Sequence, residues 1–250
     1  MISLTADLGK LRAFLSQAFL YDGTPAIENV VLEAKPEALY TKNLSLNIAG
    51  LYSVVSPKFF KVYEVEKPTP FVVTTSFFLR LSRLLKGSET VEVRVTDDSI
   101  EAVGSNESYK EDLLNIQAPA FPLVINEGEV LGSENAPLPK GAVEKASVVA
   151  KFKVADFLGL PSVEKLTMSS TDSNLRIDVR DVGLYSRTIK PLETVKLAPI
   201  SIELSMEYFS RLTKNIITED VWLLVNKDAI ALSKMTPEVA SLLLLSTQGE

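Results

Sequence analysis

A chain of 250 residues, 46% hydrophobic and 23% charged, is long enough to bury one large core or two smaller ones. It contains no cysteine and no histidine, which excludes disulfides, thiolate nucleophiles, imidazole bases and ordinary His/Cys zinc sites. The net charge of −6 works against binding to phosphate, which depends on Lys and Arg, so any nucleic-acid contact must come from a local concentration of positive charge.

The first periodic signal is helical: Leu8, Leu11, Leu15 and Ala18 fall on one face. Alternating runs then predict strands over 27–34, 38–42, 45–55 and 59–66, bounded by Asp22-Gly23, Lys35-Pro36 and Ser56-Pro57. After a β-type run at 71–75, Phe78, Leu81 and Leu85 predict a second helix with Ser76 at its N-cap. Strands over 90–96 and 99–103 follow, separated by Asp97-Asp98. Residues 116–144 hold Pro119, Pro122, Pro137 and Pro139, glycines at 128, 132 and 141, and no sustained period, which predicts an extended connector. Beyond it, a short helix is expected over 154–160, stopped by Gly159 and Pro161, then strands over 165–169, 175–179 and 183–189. A β-type run at 200–204 leads into a helix marked by Phe209, Leu212 and Ile216, with Ser205 at its N-cap, and strands follow over 221–225 and 229–233. No apolar run, 242–245 included, approaches the roughly 20 residues of a membrane span. Residues 1–10 lack the basic start and apolar stretch of a signal peptide. An intracellular protein is expected, in the cytoplasm or nucleoid, or in the nucleus of a eukaryote.

Two strings recur in the same order. Gly50-Leu51-Tyr52-Ser53 returns as Gly183-Leu184-Tyr185-Ser186, and Ser82-Arg83-Leu84-Leu85-Lys86 returns as Ser210-Arg211-Leu212-Thr213-Lys214. The displacements are 133 and 128 positions, and the second pair follows a β-type run both times. This pattern predicts two copies of one α+β domain, at 1–115 and 145–250, joined by the 116–144 connector.

The helices carry the positive charge. Net charge is +1 over 7–18, +3 over 76–87, zero over 153–160 and +1 over 205–216. The four windows together carry +5, so the rest of this −6 chain carries −11. At 100° per residue, Lys10, Arg80, Arg83 and Lys214 point away from the apolar faces of their helices. Two readings of this pattern stand: a phosphate-facing surface, or ordinary solvated helix faces, where Lys and Arg are common.

The layout resembles the DNA sliding clamps of the proliferating-cell nuclear antigen (PCNA) family, over essentially the whole chain and most closely in 70–114. The resemblance implies two duplicated clamp domains, each of antiparallel β-sheets with two helices lining the interior of a ring. It implies a non-catalytic processivity factor that encircles duplex DNA without reading sequence, assembles with other clamp subunits as a homo- or heterotrimer, and holds a DNA polymerase, a clamp loader and other replication and repair proteins through short peptides. Lys10, Arg12, Arg80, Arg83, Lys86, Lys153, Arg211 and Lys214 are the candidate DNA contacts. Leu123, Val124, Ile125, Val130 and Leu131, an apolar cluster with Phe121 in the connector, are the candidate partner contacts, unless the connector simply covers the edge of its own core. The sequence departs from the family's habit in a long connector and in Ser246-Thr247 after the final leucine run.

Other chemistry is poorly supported. Asp97-Asp98, Asp172 and Asp181 sit at predicted turns without further ligands, which turn chemistry explains. No P-loop or dinucleotide fingerprint occurs, so no catalytic residue, metal or cofactor is expected and ATP hydrolysis would belong to a separate loader. The alternative in another class is a two-domain β-rich protein-interaction or structural protein that does not bind DNA. An enzyme working through carboxylates alone ranks below both.

Overall fold

The computed structural model describes residues 1–45, 49–84, 87–115, 140–171, 173–180, 183–216 and 218–247. The chain divides into two compact units. The first comprises Met1–Asn43, Leu51–Phe121 and Pro237–Val239; the second comprises Leu44–Gly50, Pro122–Thr236 and Ala240–Glu250.

The first half of the chain runs β1 (Ile2–Asp7), α1 (Leu8–Ala18), β2 (Asn29–Lys35), β3 (Ala38–Ser45), β4 (Ala49–Val55), a 3-10 turn (Pro57–Phe59), β5 (Val62–Val65), β6 (Thr69–Thr74), α2 (Thr75–Leu84), β7 (Thr90–Val95), β8 (Ser99–Val103) and β9 (Ser108–Asp112). Its strands lie in two layers, in the orders β5-β1-β7-β8-β9 and β4-β3-β2-β6. The second half runs α3 (Lys140–Lys145), β10 (Val148–Lys153), a 3-10 turn (Val154–Phe157), β11 (Lys165–Ser170), β12 (Leu175–Arg180), β13 (Leu184–Ile189), β14 (Glu193–Leu197), β15 (Ile200–Ser205), α4 (Met206–Lys214), β16 (Asp220–Val225), β17 (Ala229–Met235) and β18 (Val239–Ser246). Here the orders are β14-β10-β16-β17-β18 and β13-β12-β11-β15. From β10 onward each strand repeats the place of the strand nine before it. The recurring strings fall on matched elements, the first on β4 and at the start of β13, the second beginning in α2 and in α4.

Local chemistry explains the helices. Asp7, in extended backbone, accepts from Lys10 N at 2.9 Å and caps α1. Leu8, Leu11, Phe14, Leu15 and Ala18 form its buried stripe, and Tyr21 N closes the end on Ser16 O. In α2 the cap is Thr74, whose hydroxyl accepts from Phe77 N at 3.0 Å. The helix therefore starts one residue before the expected cap, and Ser76 lies inside it. Ser205 does precede α4, but its side chain makes no capping hydrogen bond.

The expected helix over 154–160 is a four-residue 3-10 turn instead. Leu158 N bonds back to Ala155 O, and Arg187 Nη1 takes the carbonyls of Asp156 and Leu158. Gly159 then turns the chain at a φ of +68°. The expected connector also differs at its end, where residues 140–144 belong to α3. Five strands lie outside the expected ones: β1, β9, β10, β14 and β18.

Each unit has an aromatic centre. Phe19 stacks on Phe78 at 5.0 Å, with Tyr21 edge-on at 5.4 Å, which fixes α2 against the chain leaving α1. In the second unit Phe157 meets Phe152 at 5.7 Å and Phe209 at 5.9 Å, edge to face, tying the 3-10 turn to α4. Such pairs contribute about 0.5–1.5 kcal/mol each beyond area burial.

Candidate nucleic-acid interface

In the first unit, α1 and α2 leave an open groove between their outer faces, lined by Gly9, Arg12, Ala13, Ser16, Tyr21, Phe78, Leu79 and Arg83. Arg12 and Arg83 are exposed, and neither has an ion-pair partner among the described residues. Their placement follows from helical phase, since Leu8, Leu11 and Leu15 bury one side of α1 while Phe77, Phe78 and Leu81 bury one side of α2. Two exposed guanidiniums from separate helices that line one groove can bind a phosphate run without reading bases.

The other candidates are placed less uniformly. Lys10 is exposed, but its ammonium bonds both carboxylate oxygens of Glu238 at 2.9 Å, which offsets its charge. Arg80, one turn before Arg83 on α2, is exposed, with its guanidinium 4.8 Å from the centre of the Tyr109 ring. Lys153 is exposed at the end of β10, on a 3-10 turn rather than a helix. Lys214 is exposed in the last turn of α4. Arg211 is turned aside: its side chain is 13% exposed and donates through Nε and Nη2 to Glu207 one turn earlier. Lys86 and the partner candidates Leu123, Val124, Ile125, Val130 and Leu131 lie outside the described residues. Asp97 and Asp98 are exposed in the β7–β8 turn, which Thr96 N closes on Ser99 O, while Asp172 and Asp181 lie outside the described residues.

Sequence reasoning missed the polar network beside Arg80. Glu111, on β9, accepts from Thr74 Oγ1 at 2.6 Å, Ser76 Oγ at 3.0 Å and Tyr109 OH at 3.1 Å. Burial, and then the bond to Glu111, raises the Tyr109 phenol above its ordinary value. The residues come from β6, α2 and β9, and no spacing in the sequence links them. Arg187 was missed as well: its Nη1 donates to Asp156 O at 2.9 Å and Leu158 O at 2.7 Å, and its Nε to Tyr185 OH at 2.9 Å.

An outer-face triad occurs once in each unit. Arg94 donates to Glu92, which also accepts from Ser3; Arg176 donates to Asp178, which also accepts from Ser186. The Arg94 bond holds the Glu92 carboxyl below its ordinary range. For Asp178, burial pushes the carboxyl up, but Ser186 and Arg176 together bring it lower. No helix among the described residues is long and apolar enough to cross a membrane.

No protein-family model matches the sequence, and no curated protein matches it. The fold has many counterparts among solved structures. The A. fulgidus PCNA bound to the C-terminal region of FEN-1 matches with a TM-score of 0.76 at 13% identity, over 100% of this chain and 99% of that one. The PCNA of Entamoeba histolytica matches at 0.75 and 11% identity over 99% of both chains. A chain of the PCNA2–PCNA3 complex of Sulfolobus tokodaii matches at 0.74 and 12% identity, over 99% of this chain and 100% of that one. With its paired strand orders and this end-to-end match, the chain has the two-domain fold of the PCNA sliding clamps.

Proposed function

We propose that the chain is a sliding clamp: a non-catalytic subunit that assembles edge to edge with other clamp subunits into a trimeric ring around duplex DNA, and holds replication and repair enzymes there. The observation that carries the proposal is the groove lined by Arg12 and Arg83, both exposed and without an ion-pair partner among the described residues, on an otherwise acidic chain of clamp fold. Lys214, Arg80 and Lys153 add exposed charge; Lys10 and Arg211, each paired with a glutamate, contribute less. A surface of point charges on helices with no base-reading element suits sequence-independent sliding.

Partner enzymes dock through short peptides, with the connector cluster of Leu123, Val124, Ile125, Val130 and Leu131 supplying apolar anchors. The PCNA of A. fulgidus in complex with the C-terminal region of FEN-1 supports this mode, and the PCNA2–PCNA3 complex supports association between clamp subunits. The chain hydrolyses nothing, and a polymerase and a loader with its own ATPase are its working partners.

The test is polymerase processivity on primed DNA with the cognate polymerase, using the Arg12→Glu, Arg83→Glu and Lys214→Glu triple variant. All three side chains are exposed, so stability should stay within about 1 kcal/mol of the parent. Processivity should fall, and fall further as salt is raised. Unchanged processivity across the salt series would remove the groove from the DNA path.

A further inference from the structure

The cations that the clamp reading turns toward DNA fall into two groups, and nearby carboxylates make the difference. Arg12 and Arg83 line their groove with no ion-pair partner among the described residues. Lys10 and Arg211 are each taken up by a glutamate, one in each unit.

Glu238 is delivered to Lys10 by its backbone. It follows Pro237 in the turn between β17 and β18, and its carbonyl accepts from Ser56 N at 2.8 Å, which anchors it beside the 3-10 turn at Pro57–Phe59. From there both carboxylate oxygens accept from Lys10 Nζ at 2.9 Å, with the centre of the Phe59 ring 6.0 Å from the same ammonium. Lys10 and Arg12 lie about 200° apart around α1, so Glu238 takes one cation and leaves the groove alone. In the second unit Glu207 stands in the first turn of α4, and its Oε1 accepts from Arg211 Nε at 3.2 Å and Nη2 at 3.0 Å.

Stability does not account for these pairs. The Lys10 side chain is 51% exposed and that of Glu207 66%, and exposed ion pairs contribute little to folding. Their larger consequence is electrostatic. An unmatched surface cation gains affinity for phosphate by releasing the counterions condensed on DNA, and it adds to the salt dependence in the same measure. A cation already matched by a carboxylate brings neither. Phosphate has to displace that carboxylate, which then stays close by and repels it. Because an exposed pair is weak and screened, the exchange runs easily in both directions.

Resting on the clamp reading, we propose that Glu238 and Glu207 are built-in phosphate surrogates: they hold Lys10 and Arg211 off the DNA and keep the chain's grip on duplex loose enough to slide. They act as positioning residues, through the two cations and not through any contact of their own with bases.

Duplex binding by the chain, followed by fluorescence anisotropy across a salt series, tests this, with circular dichroism checking the fold of each variant. Glu238→Gln and Glu207→Gln should each tighten binding about threefold at about 50 mM salt, and steepen the dependence of log affinity on log salt by about 0.9, one freed cation apiece. Glu203→Gln is the charge-matched control. Glu203 pairs with Lys165 at 3.6 Å on the sheet face that carries Asp178, so the same charge is removed from a place the clamp reading leaves outside the ring, and binding should stay near that of the parent. An equal gain from Glu203→Gln would mean that net charge alone is read, and would overturn the proposal. Lys10→Gln should abolish the gain from Glu238→Gln, and Arg211→Gln the gain from Glu207→Gln; gains that persist without the cation would also overturn it. Glutamate variants that bind like the parent at every salt concentration, while the Arg12→Glu, Arg83→Glu double variant binds more weakly, would overturn the surrogate role and leave the clamp reading standing. If the arginine variant also binds like the parent, the clamp reading fails with it.

Discussion

The two units share one strand order but support their helices differently, and the difference separates what the fold requires from what its surface can vary. The first unit has two full helices: α1, capped by Asp7, and α2, capped by Thr74. Among its described residues the second has the six-residue α3 and one longer helix, α4, preceded by a serine that makes no capping bond, and a four-residue 3-10 turn where α1 has its counterpart. The strand layers survive this loss because cross-strand burial, not the outer helix, holds them: Val148, Ile177, Leu204 and Leu223 are all fully buried. What changes is the charged surface. Two helices side by side make the groove that holds Arg12 and Arg83, and a 3-10 turn supplies no second wall. On the proposed clamp reading, DNA contact should therefore lean on the first unit.

The largest expected effect tests the aromatic centres. Phe209→Ala should cost about 3–5 kcal/mol, and Trp222, the only tryptophan, reports it by fluorescence from within the second unit. Phe78→Ala should cost a similar amount in the first unit, read by far-UV circular dichroism.

Next comes Lys234, a lysine in β17 that is only 5% exposed and whose pKa burial lowers to about 8. Its ordinary value is 10.5, so the unfolded chain binds the proton more tightly than the folded one. Below about pH 8 both states are protonated and the full penalty applies; it declines as pH rises from about 8 to 10.5. Lys234→Met should stabilise the protein by about 3 kcal/mol at pH 7, and the gain should shrink across that window in denaturant titrations.

The caps should differ by a smaller margin. Thr74→Ala should cost about 1–2 kcal/mol, because it removes a real cap, while Ser205→Ala should stay within about 0.5 kcal/mol. Equal costs would mean that the contrast between α2 and α4 has no energetic content. Smallest of all, Arg211→Ala should cost about 0.3–0.5 kcal/mol, the worth of an i,i+4 pair, and should weaken DNA retention less than Arg83→Ala does.

Much of this was legible in sequence. Helical period gave α1, α2 and α4 because each buries one stripe, and the repeated strings marked matched elements. β18 was missed because Ala240, Leu242, Leu243, Leu244 and Leu245 are all buried, which erases alternation. β14 was missed for the opposite reason: Glu193–Lys196 is exposed on every residue, so no face is marked apolar. The candidate site was legible as a charge pattern but not as a geometry. Nothing in the spacing says that Lys10 meets Glu238, 228 positions away, or that Arg211 folds onto Glu207. The Glu111 network joins three elements that only the fold brings together.

The most direct test is topological. The chain, with its subunits and cognate loader, is loaded on nicked circular DNA, isolated by gel filtration, and the DNA is then cut once. A ring that encircles DNA without gripping it should stay with the circle and leave the linear product. Equal retention on circular and linear DNA, or no retention on the circle, would contradict encirclement.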